Sequence, residues 1–259
     1  MPFYRRLAVV GTLLSSLFAL SVPAQAAGVD DAMKAGVLKI CSPGDYKPFS
    51  FMQGDGRFEG LDVDLMESLA ASLGVKTEFV KTTWAKMMDD FTAGKCDIAA
   101  GGISVTLDRQ KKAWFGTSYM VNGKTPIVRC ADVSRFQSIE AIDKPGVKVI
   151  ANPGGSNERF AKANFKTAPI TIHSDNIGIF NEVLTGKADV FVTESAEALV
   201  QQKLVPGLCA VNPDKPLQYG EMGYMLPRGD AITKAYVDQW LHLIKANGDY
   251  QRIANRWLN

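Results

Sequence analysis

Three groups of residues have the types and spacing to do chemistry. Gly101-Gly-Ile-Ser-Val-Thr-Leu-Asp-Arg carries two glycines, the hydroxyls of Ser104 and Thr106, and a terminal Arg109. Backbone N–H groups approach a ligand closely where no Cβ intervenes, as at Gly102, and a guanidinium offers a planar fork to a carboxylate. The same stretch also reads as a strand-to-helix connection with a solvated arginine. A second group pairs Lys124 with the Gly154-Gly155-Ser156 turn, which opens a helical pattern and can hold another anion. Asn152, just before that turn, can donate or accept at a hydroxyl. The third group is Glu194 and Glu197. They share a face if their helix starts by residue 194, and either also fits as an ordinary first-turn acid favoured by the helix dipole. Tyr46 and Trp84 can stack on a ring, with Asp45 completing a polar lining; Trp84 reads equally well as core.

These groups need elements to position them. Helical spacing of Leu61, Leu65, Leu69 and Leu73, stopped by Gly74, predicts a helix. Val37–Ile40, Val75–Val80 and the run from Asp97 read as strands, Ser50–Met52 and Phe58–Gly60 as a hairpin, and residues 83–93 as a helix. The alternation restarts after Arg109. Strands are expected at Thr125–Arg129, Val147–Ala151, Ile170–Ile172 and Asp189–Thr193, with helices at 139–142, 158–164 and 176–185. Ala231–Leu258 reads as one helical segment packing back on the first half. Strand and helix in alternation predict an α/β fold of two lobes, each a mostly parallel sheet flanked by helices. Crossings near Thr125 and Gly223–Leu226 would form a two-strand hinge, and a ligand would bind between the lobes at the strand ends. The expected division is residues 27–126 plus 223–259 for the first lobe and 127–222 for the second.

The 259 residues are 46% hydrophobic and 22% charged, an ordinary globular composition. Arg5 and Arg6 precede an apolar run from Leu7 to Val22, and Ala24-Gln25-Ala26 supplies small residues for cleavage. Residues 1–26 therefore read as a secretory signal peptide, cleaved near Ala26 and directing the protein to the periplasm. Those two arginines account for the whole formal charge of +2, so the remainder is neutral. Neither a nucleic-acid partner nor stable membrane association is expected. Export permits disulfides. Cys130 and Cys209, beside apolar strand-like runs, are the expected pair; Cys41 and Cys96 are expected as free buried thiols. His173 and His242 lie in no ligand spacing, and no Walker, dinucleotide or Gly-x-Ser-x-Gly motif occurs, so neither metal nor cofactor is implied.

Gly60-Leu-Asp-Val-Asp-Leu-Met-Glu-Ser-Leu and the Gly101–Arg109 loop resemble the signature and ligand loop of the periplasmic amino-acid-binding proteins that feed ABC importers. Gly44-Asp-Tyr-Lys-Pro-Phe-Ser, Gly123-Lys-Thr-Pro-Ile, the stretch from Asn152 to Ala161, Asp175-Asn and Asp238-Gln-Trp-Leu-His are similar, more narrowly, to the cyclohexadienyl dehydratases, enzymes built on that fold. That resemblance implies loss of water and carbon dioxide from prephenate or arogenate, giving phenylpyruvate or phenylalanine. It places the general acid at Glu197, with Lys124 and Asn152 as catalytic partners. Substrate would be lined by Arg109, Ser104, Gly102, Asp45 and Tyr46 from one side, with Trp84, Gly155, Ser156 and Glu194. Glu194 stands where these dehydratases carry Asp. A helix N-terminus and nearby cations lower a carboxyl pKa, so only a dry pocket could keep Glu197 protonated. The expected partner is a small dicarboxylate, and a homo-oligomer is left open. The competing reading is a non-catalytic amino-acid receptor of an importer.

Overall fold

The structure, a computed structural model, describes residues 28–259; the expected signal peptide lies outside the described residues. The chain begins with α1 (Gly28–Ala35), β1 (Val37–Ser42), a small sheet of β2 (Asp45–Tyr46), β3 (Ser50–Met52) and β4 (Phe58–Glu59), and α2 (Leu61–Leu73). It continues through β5 (Lys76–Lys81), α3 (Met87–Thr92), β6 (Ile98–Ala99), α4 (Leu107–Gln110) and β7 (Trp114–Phe115). The first sheet runs β5-β1-β6, all parallel, and is completed by two later antiparallel pairings. α2 forms where its leucine spacing predicts. Leu61, Leu65 and Leu69 are fully buried, each stabilising the first core by roughly 1.5–3 kcal/mol. Gly74, left-handed at φ 71°, closes the helix by donating to the carbonyls of Ala70 and Ala71.

β8 (Met120–Arg129) leads into the second lobe, which holds α5 (Ile139–Ile142), β9 (Val149–Ala151), α6 (Ser156–Asn164), β10 (Ile170–Ile172) and α7 (Ile179–Leu184). β11 (Val190–Glu194), α8 (Ser195–Leu204) and β12 (Leu208–Ala210) complete it, in the strand order β10-β9-β11-β8-β12. β13 (Gln218–Met222) then pairs antiparallel with the first half of β8, Met120 to Lys124, and these two strands are the hinge. The sequence placed the return crossing at Gly223–Leu226. Instead β14 (Met225–Leu226) is already inside the first sheet, pairing Met225 with Ala99 and Phe115. β8 also starts earlier than its apolar residues suggest: in its hinge half only Met120 packs on the first core, and the rest, Val121 to Lys124, is held by pairing with β13. The C-terminal segment is split by Gly248 (φ 86°) into α9 (Ala231–Ala246) and α10 (Asp249–Leu258). It packs on the first lobe as expected: Trp240 joins that core, and Trp257 donates to Asp64 of α2 at 2.8 Å.

Two disulfides are present. Cys130–Cys209 is the expected pair. Cys41 and Cys96 are not free thiols but are also bridged. The reason is topological: β1 and β6 are parallel neighbours, with Cys41 opposite Ala99, which brings Cys96 just ahead of β6 alongside.

Candidate active site

Lys124 ends the hinge half of β8, and its backbone partners are Glu194 of β11 on one side and Gln218 of β13 on the other. Cross-strand registry therefore sets Lys124 and Glu194 side by side, and their side chains form an ion pair of 2.7 Å. Lys124 is buried, and its Nζ also donates to Ser156 Oγ (2.9 Å) and Asn157 Oδ1 (2.6 Å). Ser104, from the first lobe, donates to the same Glu194 oxygen at 2.8 Å and lies 3.0 Å from Ser156 Oγ. Burial pulls the Lys124 ammonium pKa down, and Glu194 opposes that shift.

Glu194 and Glu197 do not share a helix face. Glu194 is the extended last residue of β11 and the N-cap position of α8, so it points into the lysine cluster. Glu197 lies in the first turn of α8 and takes a short hydrogen bond from Thr193. Its carboxyl is fully buried. Desolvation drives its pKa well above the usual carboxylate range, helped by the charges of Asp45 and Glu194 and opposed by Thr193 and Lys124. Between helix dipole and dry surroundings, the dry surroundings win, and the balance favours the protonated form of Glu197.

The Gly101-Gly102 loop is built differently from the simple anion cradle. Both N–H groups donate, at 2.7 Å each, to one oxygen of Asp62, the second residue of α2, which also accepts from Tyr119 at 3.0 Å. They are engaged from behind and do not face the cleft. Gly102 instead lets Tyr46 in: a Cβ there would sit 2.5 Å from the tyrosine ring, at a φ of +77°. Burial raises Asp62 to about 6. Arg109 is buried on α4, which Thr106 caps, and donates to the Ser104 carbonyl at 2.7 Å. It faces a cavity of about 260 Å³ shared with Trp84, Gly154 and Arg159. Burial and the like charge of Arg159 lower the Arg109 pKa to about 10.

Tyr46, Trp84, Gly102, Ser104, Asn152, Gly155, Ser156 and Asn157 surround one small cavity between the lobes. Trp84 donates to Asp45 at 3.0 Å, and Asn176 reaches across to the Asp45 carbonyl at 3.0 Å. At Gly154 (φ +79°) a Cβ would stand 2.6 Å from Ala85 Cα, so the lobes touch there backbone to backbone. The central cavity is about 10 Å³, the size of one water, and a larger ligand can enter only if the lobes part. Glu197 and Asp45 also border a larger opening of about 380 Å³ with Asn176 and Gln201. Sequence reasoning missed Asn157, Thr193 and Asp62. Thr193 left a trace, a polar residue closing the buried run Val190–Val192.

The model for bacterial extracellular solute-binding proteins, family 3, matches residues 38–259. The chain is 45% identical over 255 residues to a cyclohexadienyl dehydratase of Pseudomonas aeruginosa, covering 98% of this chain and 95% of that protein. It is 24% identical over 222 residues to an L-cystine-binding protein of Escherichia coli (86% and 82% covered). Among solved structures it is similar to an ancestral amino-acid-binding protein described as a precursor of cyclohexadienyl dehydratase, with TM-score 0.82, 35% identity, and 89% and 99% of the two chains covered. An ancestral cyclohexadienyl dehydratase is 49% identical with TM-score 0.57, over 90% and 97% of the chains.

Proposed function

Because the chain belongs to the family-3 bacterial extracellular solute-binding proteins, whose fold serves both receptors and the dehydratase it matches at 45% identity, we propose that it is a cyclohexadienyl dehydratase. It converts prephenate to phenylpyruvate and arogenate to phenylalanine, in the periplasm after removal of a leader near Ala26, on the route to phenylalanine. The single observation that carries this reading is Glu197: a fully buried carboxyl, hydrogen-bonded by Thr193 beside the Lys124–Glu194 pair, whose burial favours its protonated form. A receptor has no use for it.

In the proposed mechanism Lys124, Ser104, Ser156 and Arg109 hold the two carboxylates, and Asn152 hydrogen-bonds the ring hydroxyl. Tyr46 and Trp84 lie against the ring. Glu197 gives its proton to the hydroxyl as the ring C–O bond breaks, so water leaves instead of hydroxide. The bond to the ring carboxylate breaks with it, and its electron pair completes the aromatic ring as carbon dioxide departs. Each turnover of prephenate consumes one proton, which Glu197 must regain from solvent. The Lys124–Glu194 pair favours this reading over amino-acid uptake, because an ammonium brought by a ligand would have to displace Lys124 from Glu194. Incubating the purified protein with prephenate and following phenylpyruvate absorbance tests the proposal. Tight binding of an intact amino acid without turnover of prephenate would instead make the protein a receptor.

A further inference from the structure

The hydrogen bonds leading from Lys124 toward Glu197 have a direction that chemistry sets at their start. An ammonium can only donate, so the Asn157 atom 2.6 Å from Lys124 Nζ is the amide oxygen. The Asn157 NH2 group is thereby aimed the other way, donating to Asn152 Oδ1 and Thr193 Oγ1, each at 3.2 Å. Thr193 Oγ1 accepts from Asn157 and has one proton of its own, with Glu197 Oε2 and the Tyr46 hydroxyl as its remaining neighbours; with Tyr46 donating into the second lone pair, that proton goes to Glu197. Thr193 is fully buried and Asn157 nearly so, which keeps water from offering either a substitute.

We propose that Asn157 and Thr193 are positioning residues that fix the acidic proton on Oε1 of Glu197, by committing Oε2 to the Thr193 hydroxyl. The inference rests on the general-acid reading of Glu197. A carboxylic acid with both oxygens free presents its proton on either; with Oε2 accepting from Thr193, the proton sits on the other oxygen. Lys124, at the far end, sets the direction of the chain as well as pairing with Glu194. The charged and titratable groups facing Glu197 are Asp45 and Tyr46 of β2, Glu194 of β11 and Lys124 of β8. A substitution at 193 touches Tyr46 as well, which hydrogen-bonds Thr193, and leaves the charges of Asp45, Glu194 and Lys124 in place.

The test compares Thr193→Val with Thr193→Ser. Valine keeps the shape and loses the donor. Its kcat should fall about tenfold to a hundredfold with KM little changed, and the high-pH limb of kcat should move upward, because a donor that favoured the carboxylate is gone. Serine should restore both. A carboxyl NMR titration of Glu197 reads the same upward shift without turnover, so it remains decisive if prephenate proves not to be the substrate. Thr193→Ala serves if valine does not fold. An unmoved Glu197 titration in the valine or alanine variant, or equal losses in valine and serine, would overturn the proposal.

Discussion

Glu197→Gln separates the acid from everything around it. Glutamine has the same length, its carbonyl oxygen can accept from Thr193 as Oε2 does, and Lys124, Ser104 and Arg109 keep their partners. Substrate binding should survive. What is removed is the transferable proton, worth about 10²–10⁴ in rate, or about 3–5 kcal/mol of transition-state stabilisation. In the parent enzyme kcat should be flat while Glu197 is protonated and fall as pH rises through its elevated midpoint; in the variant that limb should vanish. Stability changes with the opposite partner of the same equilibrium. The unfolded carboxyl releases its proton near 4.5 while the folded one retains it. The parent therefore loses about 1.4 kcal/mol per pH unit from that group, from about 4.5 up to the folded midpoint. The variant should lack this slope. Turnover is read from phenylpyruvate formation and stability from urea unfolding at several pH values. Turnover within tenfold of the parent, or identical pH slopes of stability, would refute the assignment.

Lys124→Met strands Glu194 in a buried site and should cost about 3–5 kcal/mol of unfolding free energy; an unchanged urea midpoint would contradict the pairing. Gly154→Ala puts a methyl group against Ala85 at a left-handed φ, so kcat/KM should drop at least about tenfold while X-ray scattering shows no compaction on adding prephenate. Removing the Cys41–Cys96 bridge, which spans 55 residues, with paired alanines should cost about 4 kcal/mol on the chain-entropy estimate, read by denaturation. Because Lys124 already occupies Glu194, prephenate should outcompete arogenate in a mixed-substrate assay, and the reverse preference would contradict that occupancy.

Local patterns carried much of the architecture. The α2 helix runs from Leu61 to Leu73 as its leucines and Gly74 require, and the Ile170–Ile172 strand falls where its residues predict. What the sequence could not show were neighbours made by topology. Cys41 and Cys96 looked like separate core thiols because nothing in either segment says that β1 and β6 are adjacent. Asp62 belonged to a recognisable stretch, yet its partners lie 39 and 40 residues away. Glu194 and Glu197 looked like a same-face pair because spacing alone does not reveal that the helix begins at Ser195. Thr193 and Asn157 went unread because a polar residue's job depends on which way its hydrogen bonds must run.

The hinge strand β8 has a consequence beyond joining the lobes. Two residues before Lys124 it carries Asn122, whose side-chain oxygen accepts from Ser195 Oγ (2.6 Å) and the Ala196 N–H (3.1 Å), the opening residues of the helix that holds Glu197. The hinge strand is therefore tied to the helix that carries Glu197. On the proposed chemistry, parting and closing of the lobes would double as the enzyme's recharging stroke: opening frees the aromatic product and exposes the spent carboxylate to water, and closing seals the renewed acid away again.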